Sequence, residues 1–142
     1  MYQKDFILRM IERFADFIAG IFGLLKKGEF DQASQAIDNA YYNFLKEDAF
    51  FFRIIPKEKL TYDLISKHNY TNGHLEILAG LFYAEAELRF AKGNITESIE
   101  FYEKALLLYE FTERESQIFS TGKQLKMTDI KIQISKLKNT TF

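Results

Sequence analysis

The sequence predicts an all-α protein, one domain of about six helices paired into compact antiparallel hairpins. Three observations predict it. Apolar residues recur at helical spacing along most of the chain. Proline, which breaks helices, occurs once in 142 residues, at Pro56. A Lys-Gly turn joins two helical stretches at Lys27-Gly28 and again at Lys92-Gly93.

The first helix is predicted over residues 3–27. Ile7, Met10, Ile11, Phe14, Phe17, Ile18, Ile21 and Leu25 fall on one side, with Arg9, Glu12, Arg13 and Asp16 opposite. At 100° per residue the apolar arc spans about 200°, wider than the stripe a single neighbour covers. This helix should therefore pack against more than one partner, with Gly20 and Gly23 as expected points of close approach. Gly28 ends it after Lys26 and Lys27, which suit the negative end of the helix dipole. A second helix follows to about Lys46, with Phe30, Ala33, Ile37, Ala40, Tyr41 and Phe44 inward. So short a connection makes the pair a hairpin.

Residues 47–67 are less regular. The run Ala49 to Ile55 is aromatic enough to be expected inside. Pro56 can open a short helix to about Lys67. After a polar loop at 68–73, Thr71 or Asn72 can cap a helix to about Lys92, carrying Leu75, Leu78, Leu81, Phe82, Ala86 and Phe90. Gly93 and Asn94 make the next turn. A helix from Ile95 to about Glu113 turns Ile99, Tyr102, Ala105, Leu106 and Tyr109 inward. A last helix, about 120–138, begins after Ser120 as its cap. Its seam is Met127, Ile130, Ile134 and Leu137, with Leu125 and Ile132 roughly opposite. Alternation from Ile130 to Ile134 also permits a strand, for which no partner strand is in view.

Composition narrows the function classes. With 47% hydrophobic and 27% charged residues the chain suits a folded domain. Without cysteine there is no disulfide framework or thiolate chemistry, which fits a reducing compartment. Charges interrupt the N-terminal stretch, so it does not read as a signal peptide. The longest uncharged run, Phe17 to Leu25, is far short of the ~20 residues of a membrane span. A cytoplasmic location is expected. The net charge of −1 gives no field for nucleic acid or an anionic membrane. Charge is unevenly placed: residues 71–115 carry four basic and nine acidic groups, residues 116–142 five lysines and one aspartate. The basic end is expected to dock on the acidic body, with an acidic partner as the alternative.

The segment Lys27-Gly-Glu-Phe-Asp-Gln-Ala-Ser-Gln-Ala-Ile-Asp-Asn-Ala40 parallels Lys92-Gly-Asn-Ile-Thr-Glu-Ser-Ile-Glu-Phe-Tyr-Glu-Lys-Ala105. Each has alanine twelve residues after the glycine, which can supply a positive φ in the turn. The two glycines lie 65 residues apart, close to twice a period of roughly 34. These segments resemble the tetratricopeptide repeat, over residues 14–46 and, more fully, 79–110. In the second, Phe82, Ala86, Gly93, Ile99, Tyr102, Ala105 and Leu106 sit where that family places packing residues. Arg89 stands in place of an aromatic, Ser98 in place of alanine and Glu110 in place of the terminal proline. Residues 47–78 form a degenerate middle slot. The resemblance implies a compact right-handed helical array closed by the last helix. The opening Gln3-Lys-Asp-Phe-Ile-Leu-Arg-Met-Ile-Glu12 resembles a family of small bacterial proteins of unassigned function, which implies a bacterial cytosolic source.

No pattern points to catalysis, and no cofactor is expected. His68 and His74 are six apart, a spacing that suits no ligand pair on a helix, and read as solvated loop residues. Gly20, Gly23 and Gly28 make no phosphate loop. Glu85, Glu87, Glu97, Glu100 and Glu103 read as a solvated face. Tetratricopeptide proteins bind with the first helix of each hairpin. The resemblance therefore implies a groove lined by Ile18, Phe22 and Leu25 from one hairpin and Tyr83, Glu87 and Phe90 from the other. The lysine and asparagine set of carboxylate-clamping members is missing. An apolar groove must be covered or used. Three readings follow: it binds a partner peptide or helix, it is buried by self-association or by residues 47–70, or it serves a small ligand or enzyme.

Overall fold

A computed structural model describes residues 2–116 and 121–140. Among them are seven α-helices and no strand: α1 (Tyr2–Lys26), α2 (Phe30–Leu45), α3 (Ala49–Arg53), α4 (Leu60–His68), α5 (Asn72–Ala91), α6 (Ile95–Ser116) and α7 (Thr121–Thr140). One turn of 3-10 helix, Lys57–Lys59, follows Pro56 into α4. The cap expected at Ser120 lies outside the described residues. Residues 130–134 are helical, so the strand reading does not hold.

The two Lys-Gly turns are built alike. Gly28 has φ +77° and Gly93 φ +84°. In each, the glycine N–H donates three residues back, to Leu25 or Phe90, and the next N–H donates five back, to Leu24 or Arg89. This double closure satisfies carbonyls the helix end leaves open, and needs a left-handed residue at its centre. The same local sequence thus makes the same turn twice.

The helix α5 is the axis of the molecule. It packs against α1, α2 and α6, and residues on every side of it are buried, from Leu75 and Ile77 to Ala86 and Leu88. A helix apolar all round has to be central. Thr71 caps it, and His74 closes the box by accepting from the Thr71 N–H through Nδ1 at 3.1 Å. His74 is therefore a half-buried helix residue, not a solvated loop histidine. Burial lowers its pKa.

As expected of its wide arc, α1 touches two helices, α2 and α5. The points of close approach are not those expected. Nothing lies within 4 Å of a Cβ built on Gly20 or Gly23. The tight glycines are on α5, where a Cβ on Gly80 would meet the Phe14 ring at 2.4 Å and one on Gly73 would meet Ile7 at 2.3 Å. Which helix gives way depends on which side of α1 faces α5.

The aromatic run is only half inside. In α3, capped by Asp48, Ala49 and Phe52 are buried, while Phe50 and Ile54 are exposed. Helical period over five residues turns one side in, whatever the composition. Phe52 stacks on Tyr41 at 5.5 Å. The segment leans on α2 and α6, away from α1.

The seam of α7 is buried on α6 at Met127, Ile130 and Leu137, while Leu125 and Ile132 are exposed. Its lysines reach the acidic body, as expected: Lys123 to Glu76 and Glu113, Lys131 to Glu110, Lys138 to Glu103. The backbone of α7 stands off α5.

Candidate functional site

That offset opens a furrow between α5 and α7. Along α1, residues 11, 14, 15, 18 and 22 share a face at helical spacing and form its far wall. The floor is Ile77, Gly80 and Tyr83 of α5, with Tyr109 of α6. Gly122, Lys123 and Lys126 of α7 close this end, a hollow of about 280 Å³. Tyr83 also lines a second hollow of about 410 Å³, formed with Glu87, Phe90 and Tyr102 against Asp129, Ile132, Gln133 and Lys136 of α7.

Of the residues expected to bind a partner, Ile18, Phe22 and Tyr83 meet in the first hollow. The Phe22 and Tyr83 rings lie edge-on, 5.8 Å apart. Glu87 and Phe90 join Tyr83 in the second, where Phe90 is 42% exposed. Leu25 lines neither and packs against the core. No residue from 47–70 lines either hollow, so that segment does not cover the furrow. The α7 wall was illegible in sequence; its one trace was Leu125 and Ile132 falling opposite the seam.

Burial raises the pKa of Tyr83, Tyr102 and Glu87 in the furrow. Burial first, then the nearby charges of Glu87 and Asp129, pushes the Tyr83 phenol up to about 12. The Tyr102 hydroxyl donates to Glu87 Oε2 at 2.9 Å. Burial raises the Glu87 carboxyl, Tyr102 opposes the rise, and Asp129 adds to it.

On the other flank of α5, Glu85 is 1% exposed, contrary to the solvated-face reading. The Tyr41 hydroxyl donates to its Oε2 at 2.6 Å, and Arg53 donates to both oxygens at 2.7 and 3.0 Å. Arg89, one turn on, donates to Oε1 at 2.5 Å. Arg53 also pairs with Asp38. Arg89 lies 4.4 Å over the Phe101 ring, which explains arginine at a position where an aromatic was expected. Burial, then the Glu85 carboxylate, holds the Tyr41 phenol well above its usual range. Every oxygen of Glu85 is committed, so this centre is structural. Ser98 is also buried and donates to the Ala86 carbonyl at 2.8 Å, a bond alanine cannot make. With Glu110 in place of proline, α6 runs on to Ser116.

The two histidine rings lie on either side of a contact with Tyr70, at 6.3 Å for His68 and 4.9 Å for His74; His68 also meets Phe51 edge-on, and His74 caps α5. Among the described residues no helix is long and apolar enough to cross a membrane.

Fold and site together define a class: an all-α protein of packed helices with an aromatic furrow between its central and last helices. No family model, curated protein or solved structure matches the chain.

Proposed function

We propose that this chain is a non-catalytic interaction module of tetratricopeptide-like hairpins, which binds a peptide or amphipathic helix of a partner protein along the furrow. One observation carries the reading. The furrow is walled by three helices; its first hollow is lined mainly by apolar and aromatic side chains, and its second sets exposed Phe90 and Ile132 among Glu87, Asp129, Gln133 and Lys136. Apolar troughs of this kind receive helices through anchors at i, i+3, i+4 and i+7. A bacterial cytoplasm suits the cysteine-free composition.

The test is selection of binders from a displayed library of amphipathic helical peptides, followed by fluorescence anisotropy. Phe90→Asp and Ile132→Asp should each weaken a selected peptide about tenfold or more, with unchanged thermal melts. Peptides indifferent to both changes would sink the reading. A second reading is self-association, favoured by the exposure of Phe6, Leu8, Phe50, Ile54 and Tyr62 elsewhere on the surface. Light scattering at several concentrations decides it: a dimer broken by Phe90→Asp would assign the furrow to assembly.

A further inference from the structure

Two carboxylates of α5, two residues apart, invite comparison. Glu85 shows what a buried carboxylate on this helix takes: the Tyr41 hydroxyl donates to it, and so do two guanidinium groups. Each guanidinium also lies over an aromatic ring, Arg53 at 5.5 Å from the Tyr41 centroid and Arg89 at 4.4 Å from that of Phe101. Glu87, half-buried on the furrow side, repeats part of this arrangement. Tyr102 donates to its Oε2 at 2.9 Å, and among the described residues it makes no ion pair.

The rings are in place around it. Tyr83, Phe90 and Tyr102 line the second hollow, about 410 Å³, which Glu87 faces. The Tyr83 and Tyr102 rings lie edge to face, their centroids 6.0 Å apart. Asp129 and Lys136 stand in the α7 wall, so two carboxylates and one ammonium face the hollow. Among the described residues Lys136 pairs with neither carboxylate. Lys126, one turn before Asp129, leans toward the Tyr109 ring instead. Burial raises the Glu87 pKa, Tyr102 opposes the rise, and the Asp129 charge adds to it. A cation entering the hollow offsets both the burial and the repulsion. A planar guanidinium suits it best: its faces stack on rings while its edge N–H groups donate to carboxylates. An ammonium is more strongly hydrated and gives up more to enter an aromatic hollow.

We infer that the second hollow is a guanidinium site, which takes an arginine of the helix that the furrow is proposed to bind. The source of the arginine rests on that reading. Gly80, in the floor of the first hollow, and Glu87 are seven residues apart on α5, about two turns. The bound helix therefore carries its arginine about two turns from the apolar side chains that fill the first hollow.

Two experiments on the full chain test the site and the source separately. In the first, amide resonances are followed during titration with n-butylguanidinium, n-butylammonium and the neutral isostere n-butylurea. Butylguanidinium should shift the Glu87, Phe90 and Asp129 amides saturably, with butylammonium about threefold weaker and butylurea about tenfold weaker. Glu87→Gln, which can still accept from Tyr102, should weaken butylguanidinium about tenfold, and Asp129→Asn about threefold. Lys136→Gln removes the competing cation and should strengthen it about twofold. Asp129 and Lys136 are exposed, so those two variants keep the fold whatever Glu87→Gln does. In the second, helical peptides selected on the furrow are remade with each arginine replaced by citrulline. They should bind the parent chain about tenfold more weakly, with little change on Glu87→Gln. Equal shifts from butylguanidinium and butylurea, or indifference to both Glu87→Gln and Asp129→Asn, would overturn the inference. Butylammonium binding as tightly as butylguanidinium would overturn it too, in favour of lysine. Peptides that need Phe90 and Ile132 yet tolerate citrulline would remove the arginine while the helix reading stands. Butylguanidinium binding with no peptide selected would sink the helix reading and leave the guanidinium site in place.

Discussion

The two flanks of α5 treat their tyrosines in opposite ways. On one, Tyr41 donates to Glu85, and Arg53 and Arg89 complete the carboxylate's shell. On the other, two residues back along α5, Tyr83 faces a hollow together with Tyr109 of α6, and neither hydroxyl bonds to another described residue. Both flanks are walled by aromatic residues from neighbouring helices. They differ in whether the polar groups are already satisfied. A saturated network resists change and holds three elements together; an open one has capacity left for something else.

The sharpest way to break this contrast is Glu85→Ala. It strands two guanidinium groups and a phenol, and should cost about 3–5 kcal/mol in urea unfolding at neutral pH. A loss under about 1 kcal/mol would mean that water replaces the carboxylate and that the flank is not the rigid one. A matched pair comes next. Tyr41→Phe removes a hydrogen bond to a carboxylate and should cost about 1.5–3 kcal/mol. Tyr109→Phe removes a hydroxyl that bonds to nothing and should stay within about 0.5 kcal/mol of the parent. Equal effects from the two would erase the distinction between the flanks.

Glycines sharpen it further. Gly80→Ala drives a Cβ into the Phe14 ring, which lines the hollow. Overpacking of about 1–3 kcal/mol outweighs a helix-propensity gain of up to ~1 kcal/mol, so stability should fall. Gly20→Ala meets nothing and should raise it by about 0.5–1 kcal/mol. Thermal melts of the two variants should therefore move in opposite directions.

The smallest effect is at the start of α5. Burial lowers the His74 pKa, so the unfolded chain binds this proton more readily than the folded one. Its contribution is fully present above about pH 6.5 and is lost as pH falls through the folded value. Relative to His74→Gln, which keeps the capping acceptor without the titration, the parent should lose under about 1 kcal/mol between pH 8 and pH 5. A constant difference across that range would show that His74 caps α5 without sensing protons.

Much of this protein was determined by its sequence alone. Helical period and scarce proline set the helices, and each predicted start and stop lies close to the observed one. The two Lys-Gly turns formed as read because their hydrogen bonds close within six residues and need only a residue that accepts positive φ. The inward face of α2 and the seam of α7 followed from period, as did the arc of α1 that needed two neighbours; on α6, Tyr102, Ala105 and Tyr109 are buried as read, whereas Ile99 and Leu106 are only partly so and Phe101 and Leu108 are buried instead. Of the six residues placed in a groove, Ile18, Phe22 and Tyr83 line one hollow, and Glu87 and Phe90 join Tyr83 in the other. The tertiary structure alone decided the rest. Glu85 sits among charged neighbours in sequence, and its burial is made tolerable by Tyr41 and Arg53, from 44 and 32 residues away, together with Arg89 one turn on. Gly20 and Gly80 are indistinguishable as letters; the packing of Phe14 selects between them. Leu25 turned to the core and α7 became a wall, because both depend on how whole helices are placed. Local geometry is encoded within a few residues, whereas burial and site formation depend on partners that the chain brings together only by folding.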